Sequence, residues 1–153
     1  MPKFRPNVAA IIINSRGEIL VCERANNSGS WQFPQGGVDK GESTLEALHR
    51  EVWEEIGLKS KHYEVKEKKN GYKYLYAPKI REKKKWDGQK QTYYLCLLDD
   101  SAPELDLGTK NAEFSDYDWV QPAEFDEAWL PEFKLEVYRE VMRDFFGLEL
   151  AKA

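Results

Sequence analysis

The chain has 153 residues, 41% of them hydrophobic and 33% charged, the balance of one globular domain able to build its own core. No run of about 18 apolar residues occurs, which argues against a transmembrane helix, and Met1–Arg5 opens into an alternating apolar stretch rather than a signal-peptide core. Cys22 and Cys96 each lie in an apolar, strand-like run, which reads as two buried thiols in a reducing compartment and makes the cytoplasm the expected location. The net charge of −4 is unevenly spread. Lys66 to Lys90 holds nine Lys and one Arg against Glu67, Glu82 and Asp87, a net +7 that leaves −11 for the rest. A basic block beside an acidic remainder points to a polyanion, or equally to a solvated loop of mixed charge.

No repeat, linker or composition break marks a second domain, so residues 1–153 are expected to form a single one. Val8–Ile13 and Glu18–Arg24 are β-rich runs joined by Asn14-Ser15-Arg16-Gly17, which predicts a hairpin. Asn26–Gly41 is rich in Gly and Pro and reads as a loop. Ser43–Ile56 has helical spacing, with Leu45, Leu48, Val52 and Ile56 on one stripe and Gly57 placed to stop it. Further strands are expected at Tyr63–Lys68, Tyr72–Tyr76, Thr92–Leu98 and Tyr117–Val120. Pro122–Trp129 suggests a short helix. A last helix starts near Pro131, turns Phe133, Val137, Val141 and Phe145 inward, and ends at Gly147. Strands and helices alternate irregularly around one mixed sheet.

On the helix Ser43–Ile56, Glu51, Glu54 and Glu55 stand at i, i+3 and i+4 and share a face. Three anions that close repel one another unless water screens them or cations neutralise them. Hard oxygen ligands of this kind suit Mg²⁺ or Mn²⁺ together with substrate phosphates. An acidic helix face is more often merely solvated, but the loop before this one changes the weighting. Gln35-Gly36-Gly37-Val38-Asp39-Lys40-Gly41-Glu42 puts glycines where backbone must approach something closely or take a positive φ.

Gly36, five residues, Glu42, seven residues, then Arg50-Glu51-Val52-Trp53-Glu54-Glu55-Ile56-Gly57-Leu58 resembles the Nudix signature at each of its 23 positions. The resemblance implies an α/β chain of the Nudix fold, an α/β/α sandwich around a curved mixed β-sheet. It also implies hydrolysis of a pyrophosphate by water attack at phosphorus. It makes Glu51, Glu54 and Glu55 metal ligands and catalytic residues, Gly36 a carbonyl ligand, and Glu54 the working choice of base. Arg50 and Glu42 become orienting residues, and Glu113, before the strand ending in Trp119, a further ligand or base. The implied cofactor is Mg²⁺, with Mn²⁺ as the alternative ion.

Arg5-Pro6-Asn7-Val8, Ser30–Gly37, Gly88-Gln89-Lys90-Gln91 and Phe133-Lys134 are similar to segments of the bacterial RNA pyrophosphohydrolase branch. That branch removes pyrophosphate from 5′-triphosphorylated RNA, leaving a 5′-monophosphate and promoting mRNA decay. Its cousins are the asymmetric dinucleoside tetraphosphate hydrolases, which share the Trp31–Gly37 segment, so a nucleotide polyphosphate is the alternative substrate. The resemblance implies Arg5, Arg24, Gln35, Gln89 and Lys90 around the phosphates, Phe133 stacked on a base and Lys134 on the neighbouring phosphate. Helical spacing equally allows Phe133 in the core. No DNA duplex and no membrane are implied, and the branch includes monomers and dimers, which leaves a homodimer open. Lys40 stands where many relatives have Pro, and the chain stops at Ala153 without a longer basic tail. His49 and His62 have no metal-ligand spacing.

Overall fold

The structure is a computed structural model, and it describes residues 1–108 and 112–150. Ala153 lies outside these residues. Among the described residues seven strands form one mixed sheet: β1 (Phe4–Ile13), β2 (Ile19–Arg24), β3 (Trp31–Gln32), β4 (Gln35–Gly37), β5 (Tyr63–Leu75), β6 (Gly88–Leu98) and β7 (Phe114–Val120). The helices are α1 (Thr44–Ile56), the short α2 (Pro78–Arg81) and α3 (Glu132–Phe146). The main strand order is β3-β2-β1-β6-β5, with β4 on β1 and β7 on β2. β1 and β6 run parallel through ten aligned pairs, from Phe4↔Gly88 to Ile13↔Leu97. The remaining pairings are antiparallel.

Strand alternation divides the interior into two layers. Val8, Ala10, Ile12, Tyr94 and Cys96 face α1, where Leu48, Val52 and Ile56 meet them. Ala9, Ile11 and Tyr93 face α3, packing with Phe33, Val137, Tyr138, Val141 and Met142. Burying one such aliphatic side chain is worth about 2 kcal/mol, so these layers fix both helices on the sheet. The fold is the expected α/β one, and both cysteines are free and buried.

The helix α1 begins where its caps dictate. The Ser43 side chain accepts from the Glu46 amide, and the Glu46 carboxylate accepts from the Ser43 amide, a capping box. Gly57 ends it at φ 72°, a left-handed conformation that suits glycine. Leu45 departs from the expected stripe: it is 43% exposed, and Ala47 and Glu55 are buried instead. The first turn of α1 lies beside an open groove at Tyr63 and Val65, where nothing covers Leu45.

Several strands differ from expectation. The region 26–41 is not wholly irregular, because β3 and β4 form within it. Tyr63–Leu75 is one strand rather than two, passing Gly71 through a register shift between Lys69 and Tyr72, a bulge of the kind glycine permits. β6 starts at Gly88, four residues earlier than the apolar pattern shows, and its polar start lines the site. Phe145 is half-buried at the edge of the α3 layer, and Pro122–Trp129 holds two short 3₁₀ turns rather than a helix.

Candidate active site

Two surfaces meet at β4, one acidic and one cationic. The pairing Val8↔Gly36 and Asn7↔Gly37 turns Gly36 toward α1 and Gly37 toward the opposite face. A Cβ added at Gly36 would collide with the Glu51 carboxylate, and one at Gly37 with the Arg5 guanidinium. Close approach, not positive φ, is what these two glycines supply.

On the α1 side, Arg50 ties the acids together. Its Nε and one terminal nitrogen donate to the two Glu42 oxygens at 2.7 and 2.9 Å, and another terminal nitrogen donates to Glu51 Oε1 at 2.8 Å. It also donates to the Gly37 carbonyl at 2.9 Å. Asp39 and Glu54 each lie 3.5 Å away as weaker ion pairs. The fork geometry of the guanidinium makes this many-sided anchoring available. Arg50 hydrogen bonding holds the Glu42 carboxyl down to about 2.

The three helix glutamates differ in environment. Glu54 is 54% exposed. Glu51 is mostly covered, and burial raises its carboxyl against the opposing pull of Arg50. Glu55 is buried, its Oε1 has no hydrogen-bond partner, and burial, followed by the charges of Glu51 and Glu113, pushes it up to about 9. A buried carboxylate oxygen without a donor is costly unless a proton or cation compensates it. Among the described residues no three His, Cys, Asp or Glu side chains form a finished metal cage. The donor set nevertheless fits a hard divalent cation, through the orphaned Glu55 oxygen and the Glu51 carboxylate against the Gly36 backbone.

On the other side of β4 lies a cleft of about 360 Å³. Arg5, Arg24, Gln35, Gly36, Gln89, Glu113, Phe133 and Lys134 all line it, so residues scattered over the sequence converge here. Exposed Glu113 sits at the start of β7, where its carbonyl accepts from the Ala25 amide at 2.9 Å. Phe133 rests on Tyr74 and Tyr76, with ring centroids 5.6 and 6.4 Å apart, while lining the cleft. Helix packing and a cleft-facing surface are thus both features of this ring. Lys134 is 6% exposed and donates to Gln32 Oε1 at 3.2 Å. Burial, then Arg24, pulls its ammonium down to about 8.

Lys90 is the exception. It alternates with Gln89 and Gln91 along β6, so it points to the α1 face and stands exposed outside the cleft. Period-two alternation is the reason, and the sequence already contained it.

Sequence reading missed an amide network beneath the cleft. Gln91 is 1% exposed, and its Nε2 faces Gln35 Oε1 at 2.7 Å, Asn7 Oδ1 at 3.0 Å and Gln89 Oε1 at 3.2 Å. Gln89 in turn donates to the Tyr76 hydroxyl at 3.1 Å. With their oxygens held inward, Gln35 keeps its N–H₂ group for the cleft, and Gln89 keeps the one N–H not given to Tyr76. Tyr76, Ile80 and Lys84 also line the wall. Polar residues at i and i+2 of a strand start were the available signal for Gln89 and Gln91, and none marked Ile80 or Lys84. The histidines serve structure: His49 Nδ1 lies 2.6 Å from the Tyr63 hydroxyl, and His62 Nδ1 accepts from the Lys59 amide at 2.9 Å.

A glycine-edged strand that joins a helix of clustered glutamates to a cationic cleft defines the class. Residues 3–145 match the NUDIX domain, and the chain belongs to the Nudix family of hydrolases, enzymes that generally use divalent metal ions. The chain is 40% identical over 152 residues to an RNA pyrophosphohydrolase of Shewanella piezotolerans, covering 93% of this chain and 84% of that protein. It is 40% identical over 149 residues to an RNA pyrophosphohydrolase of Helicobacter pylori, covering 94% of each. The Ap4A hydrolase of C. elegans, solved as a binary complex, superposes with a TM-score of 0.69 at 18% identity, over 94% of this chain and 99% of that one. This last likeness is one of fold. Among the described residues no helix is long and apolar enough to cross a membrane.

Proposed function

We propose that this protein removes pyrophosphate from the 5′-triphosphate end of RNA and leaves a 5′-monophosphate, a step that exposes transcripts to decay in the cytoplasm. The observation that carries the reading is the cleft, which gathers Arg5, Arg24 and Lys134 with an aromatic platform at Phe133 and reaches Gly36, against which the Glu51 carboxylate of α1 lies. A triphosphate needs several cations, and an unstacked first base needs a ring. The names of the relatives at 40% identity supply the RNA.

Glu51, Glu54 and Glu55, with the Gly36 carbonyl and Glu113, are the residues that would hold the divalent cation, Mg²⁺ being the expected ion and Mn²⁺ its alternative. Such an ion supplies neutralisation of phosphate oxygens and a more acidic attacking water. Arg50 and Glu42 keep the carboxylates in register. Glu54, the most exposed of the three, is the proposed acceptor of the water's proton. Arg5, Arg24 and Lys134 neutralise the phosphate chain, Gln35 and Gln89 donate to its oxygens, and Phe133 stacks the first base.

The test compares kcat/KM on a triphosphorylated oligoribonucleotide and on diadenosine tetraphosphate at equal Mg²⁺. Preference for the oligonucleotide is expected. Preference for the dinucleotide would make this a dinucleoside polyphosphate hydrolase instead. In Glu54→Gln, a loss of about a hundredfold or more in kcat is expected for a general base, and retained turnover would move that role elsewhere.

A further inference from the structure

The cations between Lys66 and Lys90 fall into distinct sets once placed on the fold. Lys66, Lys68, Lys69 and Lys73 lie on β5, the outer edge of the sheet. Edge lysines commonly guard against strand-to-strand association, and these have local partners. Lys66 pairs with Glu64 at 3.1 Å, while Lys68, Lys69 and Lys73 lie over the rings of Tyr94, Phe145 and Phe4 at 5.9, 5.5 and 5.6 Å. None of these four lysines lines the cleft.

Another set rides on the arm 77–87 that joins β5 to β6. It carries Lys79, Arg81, Lys83, Lys84 and Lys85 against Glu82 and Asp87, a net +3 in eleven residues. The arm is tied at its base. The Tyr76 amide donates to the Asp87 carbonyl at 2.8 Å, the Asp87 amide to the Lys3 carbonyl at 2.7 Å, and the Lys3 amide to the Asp87 carboxylate at 2.7 Å. Arg81 lies 3.6 Å from Asp87. Both acid and arginine at the base are thereby engaged, while Lys83, Lys84 and Lys85 stand exposed as three consecutive cations, the Lys85 ammonium 5.5 Å from the centre of the Trp86 ring.

The arm is continuous with the cleft. Ile80 and Lys84 form part of its wall, and the Lys84 ammonium lies 5.2 Å from the centre of the Tyr76 ring, which meets Phe133 edge-on. A chain whose first base lies on Phe133 thus leaves the cleft past a rim of closely spaced lysines. Crowded like charges cost free energy that a linear polyanion relieves, and the gain appears as salt-dependent binding.

We propose that the arm 77–87 is a subsite for the phosphodiester backbone of the second and following nucleotides, with Lys83 and Lys85 as its outer contacts and Lys84 at the lip of the cleft. The inference rests on the RNA reading above. It gives the enzyme a preference for polymer over free nucleotide that the reacting triphosphate alone does not supply.

The experiment uses Lys83→Gln/Lys85→Gln, which leaves Lys84 in place. With a triphosphorylated four-nucleotide RNA at low salt, kcat/KM is expected to fall about tenfold, and the slope of log kcat/KM against log salt to flatten by about 1.4, roughly 0.7 for each lost phosphate contact on a single strand. With GTP, kcat/KM should stay within about twofold. Equal losses on both substrates, or no loss on RNA, overturn the proposal. In the wild-type enzyme, kcat/KM should rise as the triphosphorylated substrate lengthens from one nucleotide to four, and a flat profile likewise overturns it. A wild-type enzyme inactive on the oligonucleotide refutes the RNA reading and this subsite together. One that is active, with an unaffected double variant, refutes the arm alone.

Discussion

Replacing Glu55 with Gln should stabilise the metal-free protein while removing its activity. The Glu55 carboxyl is buried, has an unpartnered oxygen, and holds its proton up to about 9 against an ordinary 4.5. Because the folded-state value is raised, the folded protein retains a proton that the unfolded chain releases above 4.5. The stability contributed by this group therefore falls as pH rises from 4.5 and levels off above about 9. Each pH unit in that window is worth about 1.4 kcal/mol, so by pH 7.5 the penalty reaches about 4 kcal/mol. Glutamine keeps the shape and needs no proton, but it too buries a polar atom without a partner, so a net gain of about 2–4 kcal/mol is expected. Urea unfolding in EDTA at pH 7.5 and at pH 5 measures it: the gain should be present at the higher pH and nearly gone at the lower. Adding a divalent cation at about a hundred times its Kd should stabilise the wild type by about 2.7 kcal/mol and the variant far less. A variant less stable than wild type in EDTA at pH 7.5 would refute the argument, since it would mean that the carboxylate is already compensated by the protein.

Other substitutions test the remaining parts of the site. Gly36→Ala should cost about a hundredfold or more in kcat with little change in melting temperature, because the new methyl displaces only the end of the Glu51 side chain; strong unfolding would show that Gly36 serves the sheet instead. Gln91→Met removes the donor that holds Gln35 and Gln89 in place, and KM should rise about tenfold while kcat changes less than threefold, a binding loss of about 1.4 kcal/mol. An equal fall in kcat and kcat/KM would place Gln91 in the chemical step. Lys134 titrates near 8 in the free enzyme, and its charged form is the one that attracts phosphate, so kcat/KM should decline as pH rises through about 8. Lys134→Met should be weaker throughout and lack that decline, and persistence of the same limb would assign it to another group.

The sequence disclosed chemistry more readily than position. The glutamates of α1 and the stop at Gly57 are local features, so spacing alone places them. Leu45 shows the limit of spacing: period 3.6 gives an angle around the helix axis but not how far the sheet extends beneath it, and the first turn lies over an open groove. Lys90 was assigned to the phosphates by resemblance although alternation with Gln89 turns it to the other face. The break expected between Lys68 and Tyr72 is a bulge inside one strand, because glycine permits either and the choice depends on what pairs across from it. Gln91 and Lys84 were hidden for a more basic reason. Their roles depend on partners up to 84 residues away in the chain, as in the Gln91–Asn7 bond, and no local pattern encodes such a distance.

The two glycines at 36 and 37 explain why an acidic helix and a cationic cleft coexist without neutralising each other. Left to themselves, Arg5, Arg24 and Lys134 would be drawn to Glu51 and Glu55, and the site would collapse into internal ion pairs. β4 stands between them as a strand whose successive residues face opposite ways. Gly36 lets the Glu51 carboxylate lie against the backbone on one side, and Gly37 lets the Arg5 guanidinium lie against it on the other. Lacking side chains, both positions keep the partition thin. Arg50 satisfies Glu42 and Glu51 from the helix side, so those acids need no cation from the cleft. Glu55 is left with an unpartnered oxygen, and Glu113 shares the cleft with the cations. Pyrophosphate hydrolysis needs this division, because the phosphates must meet bound cations and attract basic side chains along one chain of oxygens, and one two-residue strand segment presents both.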